Sequence, residues 1–183
     1  MYYIDVVVSD HYEFGLLSDS SQKIRGKYCS NPKFTKLRTK GGRQYCHDVG
    51  IIRLDENIIF SKNVQPICMS GSLQNTNFDA CKLMRRPQNR ELEPSDLALK
   101  NITCNDCVPE RCSGRFCIDE RGLKTRLTPN QFQRGVLVCP VQVRGESIWA
   151  AFGLLSFHCR NSLVFTDLHA ELAVAKDIVR SCR

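Results

Sequence analysis

Apolar positions along this chain recur mostly at every second residue. The runs YYIDVVV, VGIIRL, ACKLM, GVLVCPVQV, IWAAFGLLSF and SLVFTDL alternate or form short apolar blocks, the pattern of half-buried or fully buried β-strands. Stretches rich in turn-forming residues separate them: TKGGRQ, SGSLQNTN, RRPQNRELEPSD and VRGES. Such residues favour chain reversal over ladder pairing. A helical period appears in the last stretch, DLHAELAVAKDIVRS. It places Leu168, Leu172, Ala175 and Val179 on one face, which predicts an amphipathic helix. An acid stands near its start and Arg180 near its end, as the helix dipole favours. Many short strands with one terminal helix predict an all-β barrel or sandwich.

The chain has 183 residues, enough for one large domain or two small ones with a real core. Its formal charge is +7, with bases clustered in KLRTKGGR and KLMRRPQNR. Such clusters suit nucleic acid or a sulfated glycan, or form a solvated basic surface. No stacking aromatics are interleaved as an RNA-binding sheet requires, so no nucleic-acid partner is expected. No segment approaches the roughly 20 apolar residues of a membrane-spanning helix, and no membrane partner is expected.

Eleven cysteines change the picture more. They stand at 29, 46, 68, 81, 104, 107, 112, 117, 139, 159 and 182. That density points to an oxidising compartment, and an odd count leaves at least one without an intrachain partner. Asn101 opens the triplet NIT, an N-glycosylation sequon that agrees with a secreted, extracellular protein. The opening MYYIDVVVSD has too short an apolar run for a secretory leader, so a missing N-terminal part is expected.

The segment HDVGIIRLDENIIFSKNVQPICM, residues 47–69, resembles the region around the catalytic aspartate of trypsin-like serine proteases. Asp48 matches that aspartate, and VQPIC matches the linker between the family's two barrels. ACKLM resembles the strand opening the second barrel. NITC and GRFC resemble the two ends of a disulfide-closed loop, and GVLVC the strand after the nucleophile. WAAFGLLSFHC resembles the wall of the primary specificity pocket, and LVFTDLHAELAVAKDIV the final strand and helix. The resemblance implies two six-stranded-type antiparallel β-barrels with a C-terminal helix, the first barrel incomplete. It divides the chain into a partial first barrel (1–66), a linker (67–77), and a second barrel with the helix (78–183). A first barrel without its opening strands is expected to leave unpaired edges and an exposed core.

The same resemblance implies that the chemistry is gone. Counting back from Cys139 puts Gln133 at the nucleophile's position, with Gln131, Phe132 and Arg134 where the family has Gly, Asp and Gly. Acyl transfer needs a hydroxyl or thiol activated by a base, and a glutamine amide is neither. A turn built on glycine freedom is not expected to keep its shape with Gln131 and Arg134 in it. Four histidines are present, and none sits in the family's histidine motif. His11 has the wrong neighbours, His47 is expected to be an exposed loop residue, and His169 to face solvent. Asp48 is then expected to persist as a buried acid bonded by nearby backbone. The pocket is expected to be lined by Leu127 at its floor and by Ser156, Phe157 and His158 along its wall, with His158 obstructing the groove.

Disulfides Cys81–Cys139 and Cys104–Cys117 follow from the resemblance. The usual partner position for Cys159 is Pro129, so Cys159 must be free or find a new partner. Cys29 with Cys46, and Cys107 with Cys112, could close local loops, and Cys182 is unassigned. The run of Cys104, Cys107, Cys112 and Cys117 also admits tetrahedral zinc, against which the sequon and the strand context argue. The expected protein uses no cofactor and no metal. It acts as a non-catalytic protease homologue that binds or regulates an extracellular protein, such as an active protease or its substrate. The alternatives are an active serine endopeptidase with an unusual site and a zinc-binding cysteine-rich protein.

Overall fold

A computed structural model of the chain describes residues 3–8, 12–13, 16–17, 21–39, 42–69, 80–85, 93–96, 101–102, 104, 107–108, 112–119 and 135–182. Within them the protein is all-β with one helix. The first part holds β1 (Tyr3–Val8), β2 (Tyr12–Glu13), β3 (Leu16–Leu17), β4 (Gln22–Ser30), β5 (Thr35–Thr39), β6 (Gly42–Cys46) and β7 (Gly50–Leu54). Strands β1, β4 and β7 form an antiparallel sheet with β4 central, and β2–β3 and β5–β6 are separate two-stranded pairs. In the three-stranded sheet Val6 opposes Ile24, Ile4 opposes Gly26 and Tyr28 opposes Ile52. Directly paired residues share a face. That face is apolar, and it leaves Ile4, Tyr28 and Ile52 exposed.

The second part holds β8 (Cys68–Met69), β9 (Lys82–Arg85), β10 (Glu93–Asp96), β11 (Asn101–Ile102), β12 (Arg115–Asp119), β13 (Val136–Val143), β14 (Glu146–Cys159), β15 (Ser162–Asp167) and α1 (Leu168–Ser181). These strands form one sheet in the order β10-β9-β13-β14-β15-β12-β11, antiparallel throughout, with β8 added in parallel to β14. Strands β10 and β11 stand at opposite ends of that order yet are separated only by residues 97–100. Chain of that length reaches at most about 18 Å. Seven flat strands at about 4.8 Å spacing would separate the edges by about 29 Å. The sheet is therefore strongly curled around its apolar face. The expectation of two barrels thus holds at the coarser level of an all-β, antiparallel fold with a terminal helix. The first part is a three-stranded sheet with two small hairpins, and the described ladder of the second is open between β10 and β11.

The main core lies inside the curled sheet. Leu83, Leu137, Ala150, Leu163 and Phe165 are fully enclosed, and Phe116 stacks on Phe165 at 5.3 Å between ring centroids. Gly153 lets β14 pass this pair: a Cβ there would stand 2.7 Å from Phe116 Cζ and 3.1 Å from Phe165 Cβ. With Phe165 enclosed, neither ring can yield freely. Gly153→Ala is expected to lower stability by about 1–3 kcal/mol through overpacking, read as a fall in denaturation midpoint.

Helix α1 closes the molecule by packing across to the first sheet. Asp167 caps it, its carboxylate accepting from the His169 and Ala170 N–H groups, the pairing that satisfies orphan donors at a helix start. Val174, Ile178 and Cys182 pack against Cys29 of β4 and Ile51 of β7. The buried stripe is thus Glu171, Val174, Ile178 and Cys182 rather than the predicted Leu168, Leu172, Ala175 and Val179; Val179 is exposed and Glu171 is buried. Hydropathy alone rejects a glutamate from the inner face, and here its burial is supported by hydrogen bonds described below.

Five disulfides bind these parts. Cys81–Cys139 and Cys104–Cys117 are bonded. The local loops Cys29 with Cys46 and Cys107 with Cys112 do not form. Instead Cys29 joins Cys182, Cys46 joins Cys112 and Cys107 joins Cys159. The reason is topological: β4 lies beside α1 and β6 beside the start of β12, so distant cysteines are nearer in space than sequence neighbours. These pairings also consume all four cysteines of the zinc alternative. Cys68 is free and exposed. Among the described residues no helix is long and apolar enough to cross a membrane.

Candidate functional site

Asp48 is where the two parts meet. It follows β6 and precedes β7, and the residue before it, His47, adopts a left-handed backbone with φ 52°. L-residues other than Gly, Asn and Asp seldom take this conformation. The turn sends two neighbouring side chains to different partners. His47 Nδ1 lies 2.9 Å from Glu171 Oε1 on α1, and Glu171 Oε2 accepts from Asn31 Nδ2 at 2.9 Å. His47 is therefore not the exposed loop residue that its sequence neighbours predict. It clamps the first part to the helix. Gly114, with φ 75°, brings the chain close under this clamp, where a Cβ would meet Ala170 at 3.3 Å and the Glu171 carboxylate at 3.5 Å.

The Asp48 carboxylate instead faces the curled sheet. It accepts from Arg115 Nη2 at 2.9 Å, Thr166 Oγ1 at 2.7 Å and Ser156 Oγ at 2.5 Å. All three donors are side chains more than 65 residues away in sequence, not the nearby backbone expected. Arg115 and Thr166 are direct cross-strand partners of β12 and β15, which sets their side chains on one face. Ser156 reaches the same spot because β14 shifts register against β15 between Leu155 and Phe157. An extra residue at a bulge is turned out of the ladder and re-aimed, and here that residue is Ser156.

The Arg115 side chain is 2% exposed. Its guanidinium also donates to the Tyr45 carbonyl and lies over the Phe157 ring at 5.5 Å. Charge-assisted bonds of this kind are the strong ones, and a buried arginine without an acid would be costly. Neither Arg115 nor Thr166 stands out in the sequence as a site residue. The one available clue is the base at the head of the apolar run RFCI, which calls for an acidic partner.

Ser156 and Phe157 thus wrap the Asp48–Arg115 pair. Phe157 also packs against the cluster of Cys107, Cys117 and Val164, and His158 stands opposite Leu163 in the ladder. A cleft of about 280 Å³ opens beside His47, lined by Lys33, Thr35, Leu37, Cys46 and His47; of the expected pocket residues, the described Ser156, Phe157 and His158 do not line it. His169 is exposed, as expected. Leu127 and Gln133, with Gln131, Phe132, Arg134, Pro129 and His11, lie outside the described residues, as does the side chain of Asn101, whose backbone belongs to β11. The first described residue after Arg134 is Gly135, whose carbonyl accepts from the Leu155 N–H at 2.8 Å, one residue from Ser156.

Chemically, this is a carboxylate held by one guanidinium and two hydroxyls. Its near neighbour His47 is committed to a different acid. Among the described residues no group of three or more His, Cys, Asp or Glu side chains is placed to hold a metal ion. No protein-family model matches the chain, and no curated protein matches it.

Proposed function

We propose that this chain is a secreted, trypsin-like serine protease homologue that has lost catalysis and acts as a binding or regulatory module for an extracellular protein. One observation carries the reading: the Asp48 carboxylate is bonded by a serine hydroxyl of the strand that resembles the specificity-pocket wall, while its remaining donors are Arg115 and Thr166 and not an imidazole. A carboxylate of a hydrolytic triad orients a histidine, which in turn deprotonates the nucleophile. At Asp48 an arginine and a threonine take that role's place.

Four further features support it. The chain enters β13 beside Leu155, adjacent to the Asp48–Ser156 bond, which suits a nucleophile-position loop immediately before β13. Bridges Cys81–Cys139 and Cys104–Cys117 are those that the resemblance implies for the second barrel. Five disulfides suit an oxidising, extracellular setting. The exposed apolar residues Ile4, Tyr28 and Ile52 on one face of the first sheet suit a protein that works by contact.

Full-length protein offered a panel of peptide substrates and a serine-reactive active-site probe is expected to give neither turnover nor labelling. Turnover that disappears in Gln133→Ala or Asp48→Asn would overturn the reading.

A further inference from the structure

We propose that the β5–β6 hairpin is a docking element for a sulfated polysaccharide. Residues 30–47 contain Lys33, Lys36, Arg38, Lys40 and Arg43 and no acid. The register orders these charges. Lys36 pairs with Tyr45 and Arg38 with Arg43. Alternate positions of a strand share a face and directly opposed residues share it too, so Lys36, Arg38 and Arg43 belong to one face of the hairpin. Like charges directly opposite one another destabilise a strand pair. Among the described residues neither Lys33 nor Lys36 has an acidic partner. An external row of anions would compensate the charges of such a face.

The hairpin is also held in place. Its base is fixed by the Cys46–Cys112 bridge, and its entry by the Asn31 turn, in which Asn31 Oδ1 accepts from the Lys33 N–H and the Asn31 carbonyl accepts from the Phe34 N–H. A docking element whose backbone is anchored in this way loses less freedom on binding than a floppy tail.

The same geometry separates a glycan from a nucleic acid. Binding single-stranded nucleic acid depends on free aromatic faces for base stacking. Tyr45, an aromatic on the cationic face, is stacked against Phe34, with 5.9 Å between centroids and 12° between planes, which takes one face of each ring out of use for base stacking. The remaining recognition is of sulfate charge, and five disulfides suit the compartment where sulfated glycans occur.

The test uses the full-length protein and heparin as probe. Lys36→Ser, Arg38→Ser and Arg43→Ser are combined in one variant. A control variant combines Lys62→Ser, Lys176→Ser and Arg180→Ser, three exposed bases elsewhere, and so removes the same charge. Circular dichroism establishes that both remain folded. The hairpin variant is expected to bind heparin about 100-fold more weakly at physiological salt, on a scale of about fivefold per base near an anionic surface, and the control within about tenfold of the original. Chemically desulfated heparin is expected to show no binding. Equal weakening of the two variants, or binding of single-stranded DNA as tight as that of heparin, would overturn the proposal. Loss of folding in the hairpin variant would move the test to single Lys36→Ser, for which about fivefold weakening is expected and an unchanged Kd counts against the proposal.

Discussion

Asp48→Ala is expected to lower the unfolding free energy by about 3–5 kcal/mol, the cost of breaking a buried ion pair by removing one partner. The Arg115 side chain is 2% exposed while that of Asp48 is 22% exposed, so the loss falls on a guanidinium that water scarcely reaches. The hydroxyls of Ser156 and Thr166 lose their acceptor in the same step. The measurement is chemical denaturation without reductant: the midpoint should fall and the slope stay constant. A second variant isolates the cause. Combining Asp48→Asn with Arg115→Met removes both charges; the amide oxygen accepts from one hydroxyl and the amide nitrogen donates to the oxygen of the other. Replacing both members of a buried pair is far milder than replacing one, so this double variant should recover most of the loss. A cost below about 1 kcal/mol for Asp48→Ala would show that the carboxylate is not the keystone between the two parts.

Removing the Cys29–Cys182 bridge by changing both residues to serine is expected to cost about 4 kcal/mol. The two cysteines are 153 apart in sequence, but the other bridges shorten the closed loop. The path from Cys29 to Cys46, across to Cys112, back to Cys107, across to Cys159 and on to Cys182 traverses about 45 residues. The chain-entropy scale assigns about 4 kcal/mol to a loop of that size. The damage should be local. Amide hydrogen exchange should rise in β4, β7 and α1, which pack together at this bridge, and stay slow in β13–β15, whose core lies inside the curled sheet. Uniform loss of protection would count against that division.

Much of the fold was legible. Strands β1, β7, β9, β13, β14 and β15 and helix α1 follow the alternation and the helical period seen in the sequence, to within a few residues. Strand β4 was not. Its sequence QKIRGKYCS carries three bases, and Lys27 is buried because its ammonium donates to the Cys182 carbonyl, a partner 155 residues away. The inner face of α1 was misread for a like reason: Glu171 is inside because His47 and Asn31 meet it there. Hydropathy patterns register the cost of burying charge and cannot register a distant partner that offsets it. Asp48 was visible as an acid in the right segment. Its donors were not, since Arg115, Ser156 and Thr166 come together only through strand pairing and a bulge. Two bridges, Cys81–Cys139 and Cys104–Cys117, are those the resemblance implies; the local pairs Cys29 with Cys46 and Cys107 with Cys112 do not form, because tertiary topology overrides proximity in sequence.

The arrangement of bridges bears on how the molecule is made. A growing chain exposes Cys29 and Cys46 to each other well before Cys182 has been synthesised, and short loops close fast. The first bond formed in that window is a wrong one. The finished molecule then requires thiolate attack on that early bond and exchange of partners. Biosynthesis in an oxidising compartment should thus depend on an isomerase, and cells deprived of one should accumulate chains carrying the Cys29–Cys46 linkage, recognisable by peptide mapping.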